Sequence, residues 1–282
     1  MNVLETRDLC YSYNKGCTAL DHVNLSIEKG KVTAILGGNG AGKSTLFLNM
    51  NGVLTPDSGE VLFDGKPVVY KPKQIMELRK RVGIVFQDPN DQLFSADVMS
   101  DISFGPMNLG LPVEEVRRIT DEVVEQTGIE EYKKKPTHAL SFGQKKRVAI
   151  AGVLAMKPDV IILDEPTAGL DPYGVSDILK LLAKLQKTTD LTIIISTHDI
   201  DIVPLYCDYA YVLDHGRVVM EDSAEQLFTR ADELRRHSLR LPRIAHLMEI
   251  LRKEDGFSVS EQASTIARAR KMFQEILYSN ER

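Results

Sequence analysis

The chain has 282 residues, 43% of them hydrophobic and 27% charged, with a net charge of −5 and three cysteines. That length supports one good core and a smaller second one, and the acidic balance argues mildly against a nucleic-acid partner, so none is predicted. No apolar run approaches the eighteen or so residues needed to cross a bilayer, and Met1 to Glu5 does not begin a signal peptide. Cys10, Cys17 and Cys207 are odd in number and irregularly spaced, which suits a reducing compartment. Cys10 and Cys17 could share a metal or could simply be buried thiols.

In chain order, Val3 to Tyr13 and Val23 to Ile27 alternate as strands and predict a small antiparallel sheet. Tyr13 could stack on a base or be a half-buried strand tyrosine. The apolar run Val32 to Leu36 then meets Gly37, Gly38, Asn39, Gly40, Ala41, Gly42, Lys43, Ser44 and Thr45. This is G-x-x-x-x-G-K-[ST] between a strand and a helix, the pattern of a phosphate-binding loop. Glycines let backbone N–H groups approach phosphate oxygens, the following helix start favours an anion, Lys43 supplies a point charge, and Ser44 offers a hydroxyl for Mg²⁺. A chance match in a chain this long is on the order of one in a hundred.

Gly59 to Asp64 reads as hairpin material, and Val82 to Phe86 as a strand ending at Gln87. From Asp88 to about Pro158 helical periodicity replaces β runs, as in Val116, Ile119, Val123 and Val124, predicting an inserted helical subdomain. Leu140 to Gln144 precedes the helical run Lys145 to Met156, whose first three residues, Lys145, Lys146 and Arg147, are expected to be exposed. Val160 to Leu163 and Thr192 to Ile195 are wholly apolar strands separated by the helix-like Val175 to Lys187, the arrangement of a parallel sheet covered on both faces. The first delivers Asp164 and Glu165, the second His198. Ligands bind at the carboxyl ends of such strands, which predicts that Gln87, Asp164 and His198 meet the glycine loop there. Taken singly, Asp164 could be a helix cap and His198 a satisfied polar residue.

With these motifs in this order, residues 1–222 resemble the ATP-binding subunit of an ABC transporter. The glycine loop is similar to Walker A, Gln87 to the Q-loop, Leu140 to Gln144 to the signature, Val160 to Asp164 to Walker B, Ala168 to Asp171 to the D-loop, and His198 to the switch histidine. Tyr13 matches the aromatic A-loop position. Gly38 stands where the family usually has proline, and Phe142 where the signature usually has its first glycine. Asp91 to Phe94, Phe104 to Pro106 and Asn108 to Leu111 resemble the ATPases of cobalt- and nickel-type energy-coupling-factor (ECF) systems, which implies a subunit that powers uptake of cobalt or nickel ions, with an ECF ATPase serving vitamin uptake as the alternative.

The resemblance implies an α/β P-loop NTPase with a RecA-like parallel-sheet core, an N-terminal antiparallel β subdomain, an inserted helical subdomain at about 88–158 and a helical C-terminal extension at 223–282. It implies ATP and Mg²⁺, with Ser44, Gln87 and Asp164 around the ion, Glu165 polarising the attacking water, and Lys43 and His198 at the γ-phosphate. Ser141, Gly143, Gln144 and Asp171 are expected to complete the site from a second ATPase subunit, a homodimer or close paralogue arranged head to tail. A transmembrane coupling subunit contacting Gln87 to Phe94 and a separate membrane substrate-binding component are implied partners. The implied location is peripheral, on the cytoplasmic face of the cell membrane. A soluble ABC ATPase of translation or DNA repair usually has two units or a coiled-coil insertion, neither seen here; a non-hydrolysing sensor would not need Glu165 and His198.

Beyond residue 222, Ser223 with Gln226 and Ser258 with Glu261 match capping boxes, and Pro242 suits a first helical turn. Ile266, Phe273 and Ile276 approximate one helical face. His237 and His246, Lys133 to Lys135, and Arg268, Arg270 and Lys271 read as solvated positions.

Overall fold

The computed structural model describes residues 1–14, 16–257, 259 and 263–279. Two sheets organise it. β1 (Asn2–Asn14), β2 (Cys17–Glu28), β4 (Ser58–Phe63) and β5 (Lys66–Pro67) form an antiparallel sheet in the order β2-β1-β4-β5. β3 (Val32–Leu36), β6 (Val82–Val85), β7 (Val160–Leu163), β8 (Thr192–Ser196), β9 (Tyr209–Asp214) and β10 (Arg217–Ser223) form the second, in the order β10-β9-β3-β8-β7-β6. Its strands run parallel except β10, which pairs antiparallel to β9.

The apolar runs are continuous because this sheet is covered twice. Every residue of β7 and β8 is buried, and the pleat sends neighbours to opposite faces. Ile161, Leu163, Ile193 and Ile195 join the core built on α5 (Phe142–Leu154) and α6 (Pro172–Thr189). Val160, Ile162 and Ile194 point the other way, into a core with Leu46, Phe47 and Met50 of α1 (Lys43–Met50) and Leu4, Leu9 and Val23 of the antiparallel sheet. One face thus packs helices and the other packs α1 and the β layer.

Between β6 and β7 lie α3 (Val98–Asn108), α4 (Val113–Thr127) and α5; α2 (Pro72–Arg81) precedes β6. Val116, Ile119, Val123 and Val124 are buried as their spacing predicts, and Gly128 ends α4 in the left-handed conformation. One expectation fails in α5. Lys146 is only 2% exposed, because residues 145, 146 and 147 span about 200° of a helix circumference and one of them must face inward. Arg147 is also engaged, donating to the Thr127 carbonyl and pairing with Asp177.

The C-terminal part contains α7 (Val203–Tyr206), α8 (Ala231–Arg236), α9 (Arg243–Lys253) and α10 (Ile266–Ser279), with α7 preceding β9. Ser223 does accept from the Gln226 N–H at 3.3 Å, but a short 3₁₀ turn over Leu227–Thr229 follows, not an α-helix. Ser258 and Glu261 lie outside the described residues. Pro242 is the N-cap of α9, one residue before the helix. Ile266 is 73% exposed, while Ala269, Met272 and Phe273 pack toward Met248. A helical side chain leans toward the N-terminus, so the first residue of α10 overhangs its partner. The side chain of Ile276 lies outside the described residues. Arg268 is not merely solvated, since it pairs with Glu225.

Candidate nucleotide site

A cleft of about 970 Å³ opens where the parallel strands end. The glycine loop, residues 37–44, forms its floor, with Thr45 beside it. Gly37 has φ +150, and a Cβ there would lie 2.3 Å from the Leu213 carbonyl. At Gly42 φ is +104 and a Cβ would meet the Ala19 carbonyl at 2.5 Å. No L side chain fits either position, so both glycines are dictated by backbone packing as well as by the ligand surface. Gly38, by contrast, faces open space. Gly42 is the N-cap of α1 and has no side-chain cap, which leaves the first-turn N–H groups directed at the cleft. Lys43 is buried, its ammonium donating to the carbonyls of Gly37 at 2.8 Å and Gly38 at 3.1 Å.

Opposite the loop stand the carboxylates. Asp164 Oδ2 accepts from Ser44 Oγ at 2.5 Å and Asp164 Oδ1 from Ser196 Oγ at 2.5 Å. Ser196 in turn accepts from the Glu165 N–H at 2.8 Å, so one serine at the end of β8 joins both acids. Glu165 lies at φ +48, a region sparsely populated by any residue but glycine. Several contacts hold it there: the Ser196 bond, a 2.8 Å bond from Lys146 Nζ to its carbonyl, and a 2.7 Å bond between Glu165 Oε2 and His198 Nδ1. With the carboxylate accepting, Nδ1 carries the proton and Nε2 faces away from the acid. Burial pushes the Lys146 ammonium down to about 8, against the pull of Glu165, Asp88 and Asp164. Its charge also sits 5.5 Å above the Phe142 ring, within cation–π range.

Gln87 and Tyr13 line the same cleft. Tyr13 is 52% exposed, its hydroxyl is 3.1 Å from Thr45 Oγ1, and its ring meets Tyr11 edge-on at 5.1 Å. A large face is therefore open on a fixed ring. Ser44 and Asp164, with the Gln87 amide alongside, offer hard oxygen donors of the kind Mg²⁺ takes.

The structure does not bring Ser141, Gly143, Gln144 or Asp171 to this cleft. Ser141 caps α5 in a reciprocal box with Gln144, at 3.3 and 3.0 Å, and Asp171 caps α6 through the Gly174 N–H at 2.7 Å. These two caps pack against each other: a Cβ on Gly143 would lie 3.5 Å from Leu170, and one on Gly169 2.9 Å from the Phe142 ring. Phe142 and Gly169 line a second hollow of about 430 Å³ with Gln87 and Asp164, which thus border both spaces.

Other predicted positions fall elsewhere. Cys17 is exposed rather than buried, Cys10 and Cys207 are partly buried, and burial raises the Cys207 thiol. Cys10 neighbours Asp21 and His22 instead of Cys17. That trio is exposed at His22 and already engaged, His22 Nδ1 with Asp8 at 2.6 Å and Asp21 with Arg217. The hydrogen bond that His22 donates to Asp8, then the charge of Asp8, raises the His22 pKa. His237 bonds Asp214 at 2.9 Å, and neither it nor His246 joins a cluster of potential metal ligands among the described residues.

Lys146 and Ser196 were not assigned to the site from sequence, nor were Ser238, Leu239 and Arg240, which form one wall of the cleft. A lysine inside an otherwise apolar helix was the available signal for the first; nothing local marks the others.

A profile of the family described as ABC transporter matches residues 20–168. The chain belongs to the ABC transporter family. It is an ABC-type ATPase and binds ATP. A protein named energy-coupling factor transporter ATP-binding protein EcfA2, from Clostridium perfringens, is 58% identical over 95% of this chain and 94% of its own length. The EcfA protein of Methanocaldococcus jannaschii is 52% identical over 93% and 95%. A solved structure described as cbiO1 from Clostridium perfringens, part of the ABC transporter complex cbiONQ, superposes with a TM-score of 0.78 at 59% identity, covering 88% of this chain and 99% of that one. The dimeric ATP-binding cassette MJ0796, in a post-hydrolysis state bound to ADP and Pi, gives 0.70 at 28% identity over 78% and 98%.

Proposed function

We propose that this ATPase powers an ECF-type importer at the cytoplasmic face of a membrane, with cobalt or nickel ions as the transported solute. Residues 1–222 form the ATPase unit, 88–158 its inserted helical subdomain, and 223–282 a helical extension. Support for importer function comes from the EcfA relatives, and for a metal-ion solute from the likeness to a component of the cbiONQ complex. Among the described residues no helix is long and apolar enough to cross a membrane, and in this reading other chains carry the path for the solute. These are a transmembrane coupling subunit and a separate substrate-binding membrane component. A docking surface is at hand: Phe94, 65% exposed, stacks edge-on against Phe104 at 4.5 Å beside a groove lined by Gln92, Gly105 and Met156. Exposed aromatics at a groove are anchors for a partner helix. Gln92 accepts from the Phe86 N–H at 3.1 Å and so ties the groove to the segment carrying Gln87.

The observation that carries the mechanism is the Glu165–His198 pair facing the Ser44–Asp164 pair across one cleft. Tyr13 stacks on the base, the loop amides of residues 38–45 bind the phosphates, and Lys43 swings from the loop carbonyls to the β- and γ-oxygens. Ser44, Gln87 and Asp164 would hold Mg²⁺, which supplies Lewis-acid neutralisation of the phosphate oxygens when bound. The Glu165 carboxylate, through the oxygen that His198 leaves free, orients a water and takes its proton as it attacks the γ-phosphate; the bond from the γ-phosphorus to the β-phosphate oxygen breaks, and ADP leaves with the charge on oxygens held by Lys43 and the amides. His198 keeps Glu165 in place through Nδ1 and presents Nε2 to the γ-phosphate. Ser141, Gly143 and Gln144 of a second copy or close paralogue, with Asp171 beside them, close over that phosphate head to tail.

The test is purification from the native membrane with its integral partners, reconstitution in vesicles and measurement of ATP-dependent uptake of radioactive Co²⁺ and Ni²⁺. Uptake of either ion that stops with Glu165→Gln is expected. Uptake of a vitamin and of neither ion would overturn the solute assignment.

A further inference from the structure

His198 sits on a loop that is fastened on both sides of it. Its side chain is 70% exposed, and among the described residues the only hydrogen bond of its ring is to Glu165. On its N-terminal side Thr197 is buried and accepts from the Asp199 N–H at 3.0 Å. On its C-terminal side the loop is fastened to a distant segment. Arg240 Nη2 lies 2.8 Å from Asp201 Oδ2 and 3.8 Å from Asp199 Oδ1. The Arg243 N–H donates to Asp201 Oδ1 at 2.6 Å.

This last bond is a helix cap made from outside the helix. Pro242 occupies the N-cap of α9 and has no side-chain oxygen to offer, so Asp201 satisfies a first-turn N–H in its place. A carboxylate there also complements the helix dipole and the positive Arg243. Burial opposes ionisation of Asp201, but the Arg240 and Arg243 hydrogen bonds and charges outweigh it and hold the carboxyl below its ordinary value. The anchor itself is firm, because Leu241 and Ala245 on either side are buried in the main core. Arg240 meanwhile lines the nucleotide cleft.

We propose that Arg240 and Asp201 are positioning residues for ATP hydrolysis, clamping the His198 loop to the start of α9 so that the C-terminal segment sets the Glu165–His198 contact. The clamp rests on the reading of His198 given above. Neither residue does chemistry. With the clamp released, the loop drifts, Glu165 loses its partner in a fraction of molecules, and turnover falls while nucleotide binding by the glycine loop persists.

Steady-state ATPase kinetics and thermal melting of the full-length protein separate the possibilities, using Arg240→Ala, Arg240→Lys, Asp201→Asn, the double variant and His198→Ala. Misplacing a catalytic group by a fraction of an ångström justifies an expected kcat loss of about tenfold for Arg240→Ala, with KM for ATP within about twofold. Arg240→Lys recovers part of the loss, and the double variant is no slower than the slower single, as for two ends of one contact. In a His198→Ala background Arg240→Ala has no further effect. Wild-type kcat in Arg240→Ala overturns the clamp, as does a raised KM at unchanged kcat, which makes Arg240 a nucleotide contact. If Arg240→Ala melts below the assay temperature, Asp201→Asn and Arg240→Lys carry the same contrast, and a kcat that only follows melting overturns it. Normal turnover by His198→Ala overturns the role of His198 itself, whereas its loss without any Arg240 effect overturns only the clamp.

Discussion

Two helix starts, α1 and α5, carry the phosphate-binding potential of this ATPase, and they are in opposite states. Gly42 leaves α1 without a side-chain cap, its first-turn N–H groups open to the 970 Å³ cleft and Lys43 poised above the loop. The start of α5 is sealed on itself by Ser141 and Gln144, and its residues do not line that cleft. The first is a cradle already formed within one chain. The second spends its Ser141 and Gln144 N–H groups on its own capping box and packs with the Asp171 cap. On the reading proposed above, a chain so divided binds nucleotide alone and uses it only in company.

Breaking the α1 side acts on nucleotide binding itself. Lys43→Ala removes a charge-assisted contact to phosphate and lowers ATP affinity by roughly 10- to 100-fold, read by calorimetry. On the α5 side, Ser141→Arg is expected to keep ATP affinity within about twofold yet cut turnover by about 10²-fold, as loss of an electrostatic donor does. Mixing the two variants sharpens the contrast: heterodimers hold one site with both halves intact and recover turnover that neither variant has alone. No recovery on mixing would place both halves in one chain.

The smallest effect is at Lys146, which ties α5 to the residue that follows Asp164 at the end of β7. Lys146→Met leaves the Glu165 carbonyl without its donor and costs about 1–3 kcal/mol of stability, read by chemical denaturation. Its pH dependence has a defined sign. The folded ammonium titrates near 8 and the unfolded one near its ordinary 10.5, so between these values the unfolded chain binds more protons. Wild-type stability therefore gains with rising pH across that window relative to Lys146→Met. A difference constant from pH 7 to 11 would contradict the buried charge.

Much of this was legible in the sequence where the physics is local. A strand buried on both faces carries an apolar run, so β7 and residues Ile193 to Ile195 of β8 announce themselves, and a loop that admits only glycine at 37 and 42 fixes its own motif. Glu165 and His198 follow from those strands. Lys146 was hidden because a Lys-Lys-Arg run looks like surface until the helix phase assigns one of the three inward. Arg240 and Asp201 were hidden for another reason: they are 39 residues apart and meet only through tertiary packing. Ile266 misled because helix spacing alone does not say where the partner helix stops.

In the function proposed above, ATP completes an interface between two copies and Glu165 dissolves it by hydrolysis. Glu165→Gln keeps the shape and removes the proton acceptor, so turnover should fall by about 10²- to 10⁴-fold with ATP binding retained. Analytical ultracentrifugation of this variant with and without ATP is the most direct measurement. A stable dimer with ATP that returns to its starting state when nucleotide is removed is expected. Rapid hydrolysis by the variant, or the same sedimentation with and without ATP, would contradict it.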